Sequence, residues 1–275
     1  MREFWRRYRK NQLAVIGLAI VICFVAIALL VPFLPLVNPY NISAKAFLPP
    51  SVGHPLGTDN LGRDVLSGVL YGSRISLLVG VSATLLSTII GTLVGSFSGY
   101  LGGKVDALLM RTTEMFMVIP SFFLALIIVA IFGASVFQVI VVIGILSWPA
   151  TARLVRAEFL SLKEQDFVLA ARSLGVDEVN IMFGEILPNA ASSIVTVVSL
   201  QVAQAIIMES SLSFLGLGDP NVMTWGFMLN MAKDYLAFAW WPATFPGLAI
   251  VLVVIGLNLC GDGLNEALNP KLRGI

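Results

Sequence analysis

The chain has 275 residues, of which 57% are hydrophobic and only 12% charged, with a mean hydropathy of +0.91 and a formal net charge of +1. A soluble protein of this size needs about a quarter charged residues to cover its surface, so the covering here is lipid, and a balance so near neutral excludes a nucleic-acid partner held by bulk charge. Two cysteines, Cys23 and Cys260, far apart and each inside an apolar run, exclude a disulfide framework and a cysteine-based metal site.

Five of the first ten residues are basic. The uncharged run from Leu13 to Val37 that follows, closed by Pro32 and Pro35, is too long for a signal peptide and has no small-residue cleavage site, so it is read as a retained first span. Trp5 and Tyr8 mark the lipid boundary. Residues 38–74 form an outer loop containing HPLGTDNLGRDVLSGVLYGSR. After Thr58 or Asp59 as a cap, Leu61, Val65, Leu66, Val69 and Leu70 recur at helical spacing, predicting a separate interfacial helix with Asp59 and Arg63 paired on its wet side.

Ile75 to Gly103 is the second span, and Gly91, Gly95 and Gly99 lie on one face of it at four-residue spacing, a pattern that lets another helix pack closely. Met115 to Ala152 is uncharged over 38 residues, about 57 Å of helix and too long for one crossing. Gly133-Ala134-Ser135 is the predicted break, giving a third span near 108–132 and a fourth near 136–151. Arg111 and Glu114 pair at the inner end of the third.

Residues 153–188 then interrupt the apolar pattern. Leu160 to Leu174 has helical periodicity, Gly175 is placed to stop it in a left-handed turn, and Asp177 caps a second short helix that ends before Pro188. Ala170, Ala171 and Gly175 are small while Phe167, Val168 and Leu174 are apolar, so this helical elbow fits either a solvated connector or a plug for a partner's groove. The fifth span runs from Asn189 to Met208. Asn189, Ser192, Ser193, Thr196, Ser199 and Gln204 fall within roughly 140° on its helical wheel, interrupted by Leu200 and Ala203. That stripe fits either a wetted pathway or hydroxyls satisfied on their own helix carbonyls. Glu209 follows at the outer end; an acid at membrane depth is a functional candidate, and at an interface, where the cost is small, a capping or subunit-contact role fits equally. Ala237 to Gly261 is the sixth span, with Pro242 and Pro246 near its start, and residues 263–275 are a tail.

With the amino end inside, the inner segments hold 13 of the 17 lysines and arginines, including Lys271 and Arg273 in the tail. Both termini and the 153–188 elbow are therefore expected in the cytoplasm, and residues 75–262 form a five-helix core. His54 is the one histidine, so no His-based relay or metal cluster can be assembled around it. The Gly103-Lys104 pair lacks the earlier glycine and the following hydroxyl of a phosphate loop. No ATP site and no catalytic group emerge, so any energy input comes from a partner. A self-contained secondary transporter or channel stays open beside this; it would carry an intramembrane ionisable site or inverted repeats, and neither is evident. A membrane enzyme lacks paired acids or an activated nucleophile.

The order Ala170-Ala171, three residues, Gly175, then eleven residues to Leu187-Pro188 resembles the signature cytoplasmic loop of the membrane subunits of binding-protein-dependent ABC importers. FWRRYRKNQLAVIGLAIV at 4–21, the GTDNLGRD region at 54–80, ESSLSFLGLG at 209–218, WGFML at 225–229 and FPGLAIVLVVIGLNLCGDGLNEALNPKLRG at 245–274 are similar to the dipeptide, oligopeptide and nickel permeases, specifically the second, C-type, of the two paralogues. The resemblance implies an all-α membrane protein with six spans in the type I ABC importer (MetI-like) permease fold, in the cytoplasmic membrane. It implies a paralogous permease as heterodimer partner, two ABC ATPases that hold the ATP and Mg, and an extracytoplasmic solute-binding protein. It assigns the ATPase-coupling loop to Phe167, Val168, Leu169, Ala170, Ala171, Arg172, Leu174, Gly175, Glu185, Leu187 and Pro188, with Leu169 where the family usually has Glu and Glu185 where a basic residue or His is common. It places the fifth span, and with it the stripe and Glu209, beside the translocation pathway. Peptide is the cargo expected from family frequency, with nickel next.

Overall fold

In the computed structural model, residues 2–268 are described, and all regular structure among them is helical. Eleven α-helices follow in order: α1 Arg2–Tyr8, α2 Gln12–Leu30, α3 Val65–Leu101, α4 Gly103–Val118, α5 Ser121–Phe132, α6 Val136–Leu162, α7 Asp166–Ser173, α8 Glu178–Asn180, α9 Leu187–Leu212, α10 Trp225–Ala232 and α11 Trp241–Leu268. Five helical segments are long and apolar enough to cross a membrane, and a sixth crossing arises when α4 and α5 count as one broken span.

The break in that span is a departure from the single helix expected near 108–132. Pro120 lacks an N–H and disfavours a helical residue before it. Ile119 accordingly leaves the helix at φ −89°, ψ 127°, and α4 and α5 meet at 80°. The turn expected at Gly133-Ala134-Ser135 is present. Gly133 ends α5 at φ 102°, and Ser135 opens α6 with a reciprocal cap in which its hydroxyl accepts the Gln138 N–H while the Gln138 side chain accepts the Ser135 N–H. The Arg111–Glu114 pair also forms, at 3.7 Å and well exposed.

The separate interfacial helix does not form. Asp64, rather than Thr58 or Asp59, caps the helix by accepting the Ser67 N–H at 2.8 Å, and α3 then runs 37 residues without interruption. That is about 55 Å, well beyond the hydrocarbon thickness. No proline occurs within it, and Val65 and Val69, expected on the apolar side of the interfacial helix, instead pack inward among Met223, Met228 and Trp225. Asp59 makes a tight turn, accepting the Leu61 and Arg63 backbone N–H groups at 2.8 Å each, in place of a helical side-chain pair. Burial pushes its carboxyl above the usual carboxylate range, against the lowering by those bonds and by the Arg63 charge.

Two helices also outrun their expected ends. α6 continues past 151 to Leu162, and α11 starts at Trp241 and reaches Leu268, into the expected tail. Lys271 and Arg273 lie outside the described residues. The bundle is organised around α3, which shares its most extensive contact with α6; α11 packs on α2 and α9. The glycine row makes that α3–α6 contact: a Cβ on Gly91 would fall 2.6 Å from Thr151 Cβ, on Gly95 2.5 Å from the Ala152 carbonyl, and on Gly99 2.6 Å from Phe159 Cβ.

Tyr8, Ala14 and Ala267 cluster together, and Asn11 donates to Glu266 at 2.8 Å, so the described ends of the chain meet at one end of the bundle, here the proximal end. The distal end is closed by cross-links among loops and helix starts: Trp241 Nε1 donates to the Thr58 carbonyl, Trp225 Nε1 to the Val69 carbonyl, and the Met223 N–H to the Tyr40 hydroxyl.

Candidate functional site

The elbow lies at the proximal end and is built differently from its sequence reading in two places. The helix expected over Leu160–Leu174 is divided: α6 ends at Leu162, and α7 starts afresh at Asp166 after the turn at 163–165. The second arm does not stop before Pro188. Asp177 caps it as expected, its carboxylate accepting the Asn180 N–H at 3.1 Å, but α8 passes through a widened π turn at Ile181–Ile186 directly into α9. Pro188 explains the widening, because its ring has no N–H to offer and crowds the carbonyl four residues back. The Leu187 N–H bonds to the Met182 carbonyl, five residues behind. Gly175 turns the chain at φ 76° as predicted.

The two faces of α7 are distinct. Val168 and Ala171 are buried and join Tyr100, Val155, Phe159, Ile181, Met182 and Ile186 in one cluster that seats the elbow on α3 and α6. On the outer side Leu174 is 84% exposed, Val179 61%, Leu169 46% and Phe167 37%. Beside the elbow, Asp106 of α4 accepts a two-pronged pair of bonds from Arg156 at 2.6 Å each and a further one from Ser98 at 2.5 Å.

The stripe on α9 is divided among three places. Asn189, Ser192, Ser193 and Thr196 line a polar cavity of about 500 Å³ at the proximal end, opposite Glu158 and Ser161 of α6 and Asn265 of α11. Ser199 returns its hydroxyl to the Val195 carbonyl, and Thr196 does the same to Ser192. Gln204 lines a separate small cavity of about 30 Å³ with Thr84, Ser87 and Ser147. The contributions of Glu158, Ser161 and Asn265 were not legible in sequence, since each is an isolated polar residue until α6 and α11 run past their expected ends and meet α9.

Residues 91–274 match the family described as the binding-protein-dependent transport system inner membrane component, and residues 1–50 match the N-terminal TM domain of oligopeptide transport permease C. The chain belongs to this transport family. It is 42% identical over 280 residues to the glutathione transport system permease protein GsiD of Escherichia coli O6:K15:H31, covering 99% of this chain and 91% of that protein. The protein of that name from Pectobacterium atrosepticum is 42% identical over 275 residues, with the same coverage. Among solved structures, an inward-facing form of the MetNI methionine ABC transporter superposes with a TM-score of 0.60 at 18% identity, over 74% of this chain and 96% of that one, a likeness of fold.

The permease is thus a membrane-embedded component of an ABC importer rather than an enzyme, and such a component works with a partner permease, ATPases and a binding protein. Its one deeply buried acid among the candidates, Glu209, is remote from the proximal cavity. It is 2% exposed at the distal end of α9, where Ser213 donates to it at 2.7 Å and Ser210 at 3.3 Å. α10 abuts this point so closely that a Cβ on Gly226 would meet Ser210 and Ser213 at 2.7 Å. Glu209 is therefore held by hydroxyls of its own helix end, at the point where α10 packs against it. Glu209→Ala should cost about 1–3 kcal/mol by stranding those donors, and Glu209→Gln less, as read from thermal unfolding of the detergent-purified permease.

Proposed function

We propose that the permease forms half of the pathway for a peptide-sized solute, with Asn189, Ser192, Ser193 and Thr196 lining its cytoplasmic mouth and the elbow within 153–188 docking an ATPase subunit. A binding protein outside the cell delivers the solute to this chain and its paralogue, and both termini face the cytoplasm. ATP closes the two ATPases on each other, and the elbow carries that closure into the bundle; hydrolysis resets it. The observation that carries this reading is the polar cavity at the proximal end, lined by the first turns of α9 and beside an elbow that leaves Phe167, Leu169, Leu174 and Val179 exposed. Relatives named for glutathione, itself a tripeptide, favour a short peptide over nickel as cargo.

Two measurements test it. In a background with Cys23 and Cys260 replaced by serine, single cysteines at Asn189, Ser192, Ser193 and Thr196 should react with a water-soluble thiol reagent during turnover, since thiolates form only where water reaches. A cysteine at Ile22, an exposed apolar position of α2, should stay inert. Uniform inertness along the stripe removes the pathway assignment. Uptake into proteoliposomes containing the full assembly should be driven by ATP and competed by di- and tripeptides; competition by nickel alone reverses the cargo assignment.

A further inference from the structure

The elbow has two arms, α7 before Gly175 and α8 after it, and one side chain of the bundle holds both. Tyr100 is the penultimate residue of α3 and is 6% exposed, with its ring inside the cluster that seats Val168 and Ala171. Its hydroxyl donates to the carboxylate of Glu178, the first residue of α8. The guanidinium of Arg172, in the last turn of α7, lies over its ring at 5.4 Å from the centroid. The phenol thus grips the elbow on each side of its turn by two different forces, a charge-assisted hydrogen bond and a cation–π contact.

What Tyr100 is attached to gives this grip its consequence. From Tyr100 back along α3, Gly99, Gly95 and Gly91 bring the backbone against α6 with no room for even a methyl group. At the same end Ser98 and Arg156 converge on Asp106, tying α3, α6 and α4 together. A helix pair so close-packed moves as one body rather than deforming. We propose that Tyr100 is the positioning residue that fixes the elbow to the α3–α6 unit, so that displacement of the elbow becomes displacement of those helices. This inference rests on the elbow being the ATPase-docking element.

The test uses the complete transporter in proteoliposomes and reads solute imported per ATP hydrolysed. A purely structural defect lowers import and hydrolysis together and leaves that ratio alone, whereas a slipping linkage lets hydrolysis proceed with less import. Tyr100→Phe keeps the ring under Arg172 and loses the bond to Glu178; Glu178→Ala loses the same bond from the other side. Each should lower the ratio by roughly fivefold, the lower end of ordinary coupling factors, and the double variant should fall no further than either single one. Tyr100→Ala, which removes both contacts, should fall below both. A cysteine at Leu174 cross-linked to the ATPase subunit monitors docking separately. Cross-linking that persists with an unchanged ratio in Tyr100→Phe and Glu178→Ala overturns the role of Tyr100 and leaves the docking reading standing. Failure of the cross-link in the otherwise unaltered protein overturns the docking reading itself.

Discussion

Gly95→Ala should lower the stability of the purified permease by about 1–3 kcal/mol, the usual cost of forcing a methylene into a filled contact. The added Cβ would lie 2.5 Å from the Ala152 carbonyl, 2.7 Å from Val155 Cβ and 3.0 Å from the Arg156 nitrogen. Two of these are backbone atoms of a helix, which cannot rotate aside as a side chain does, so α3 and α6 must separate along their shared face. Gly91 and Gly99 meet α6 in the same way, and because the three share one interface their costs are not expected to add simply. Combining all three should prevent the permease from accumulating in the membrane. Gly247→Ala is the matched control: it lies inside α11, where its nearest Cβ contact is Leu229 Cδ2 at 3.9 Å. There alanine should gain about 0.5–1 kcal/mol from its better helix propensity. Thermal unfolding in detergent compares them directly, and equal shifts for Gly95→Ala and Gly247→Ala would show that close approach is not what the row provides.

The glycine row was legible because its meaning is local: small residues at helical spacing in an apolar run have few other uses. The Gly133–Ser135 turn and the cap at Asp177 were legible for the same reason, each being set by the residues at that point. What escaped was decided by partners distant in sequence. Val65 and Val69 carry a helical stripe that fits a lipid surface equally well; only the return of Met223, Trp225 and Met228 turns it inward and makes the interfacial segment part of α3. A proline at 188 predicts a stop, yet a π turn absorbs it because Ile181, Met182 and Ile186 are all buried in the seat of the elbow and keep the chain helical through that point. Pro120 was the reverse case. It lies in an unbroken apolar run that hid an 80° bend between α4 and α5. For the site, the elbow was visible as a break in hydrophobicity, whereas Tyr100, Glu158 and Asn265 acquire a role only when separate helices meet.

Opposite faces of α7 should give opposite failures, and this is the strongest test of the elbow. Leu174 is 84% exposed, so Leu174→Asp removes no packing and should change the permease's own stability by no more than about 0.5 kcal/mol, as surface substitutions usually do. If the outer face fills a cleft on the ATPase, the same change places a charge in a desolvated contact. A loss of about 2 kcal/mol or more is then expected, as for a central interface residue, or roughly thirtyfold weaker association. The ATPase should fail to co-purify, and import should stop in a permease that is folded and present at its usual level. Val168, six residues before Leu174, is at 0% exposure against Tyr100, Phe159 and Ile181, and Val168→Asp acts there. Its carboxylate would enter an apolar cluster, and the one cation in reach, Arg172 one turn on, already lies over the Tyr100 ring, so the seat of the elbow is lost at a cost of several kcal/mol, and the permease itself should unfold or fail to accumulate. Membrane levels, unfolding midpoint and ATPase co-purification, measured on both variants, separate the two outcomes. Should Leu174→Asp retain the ATPase and full import, the exposed face of α7 is not where the motor holds this protein.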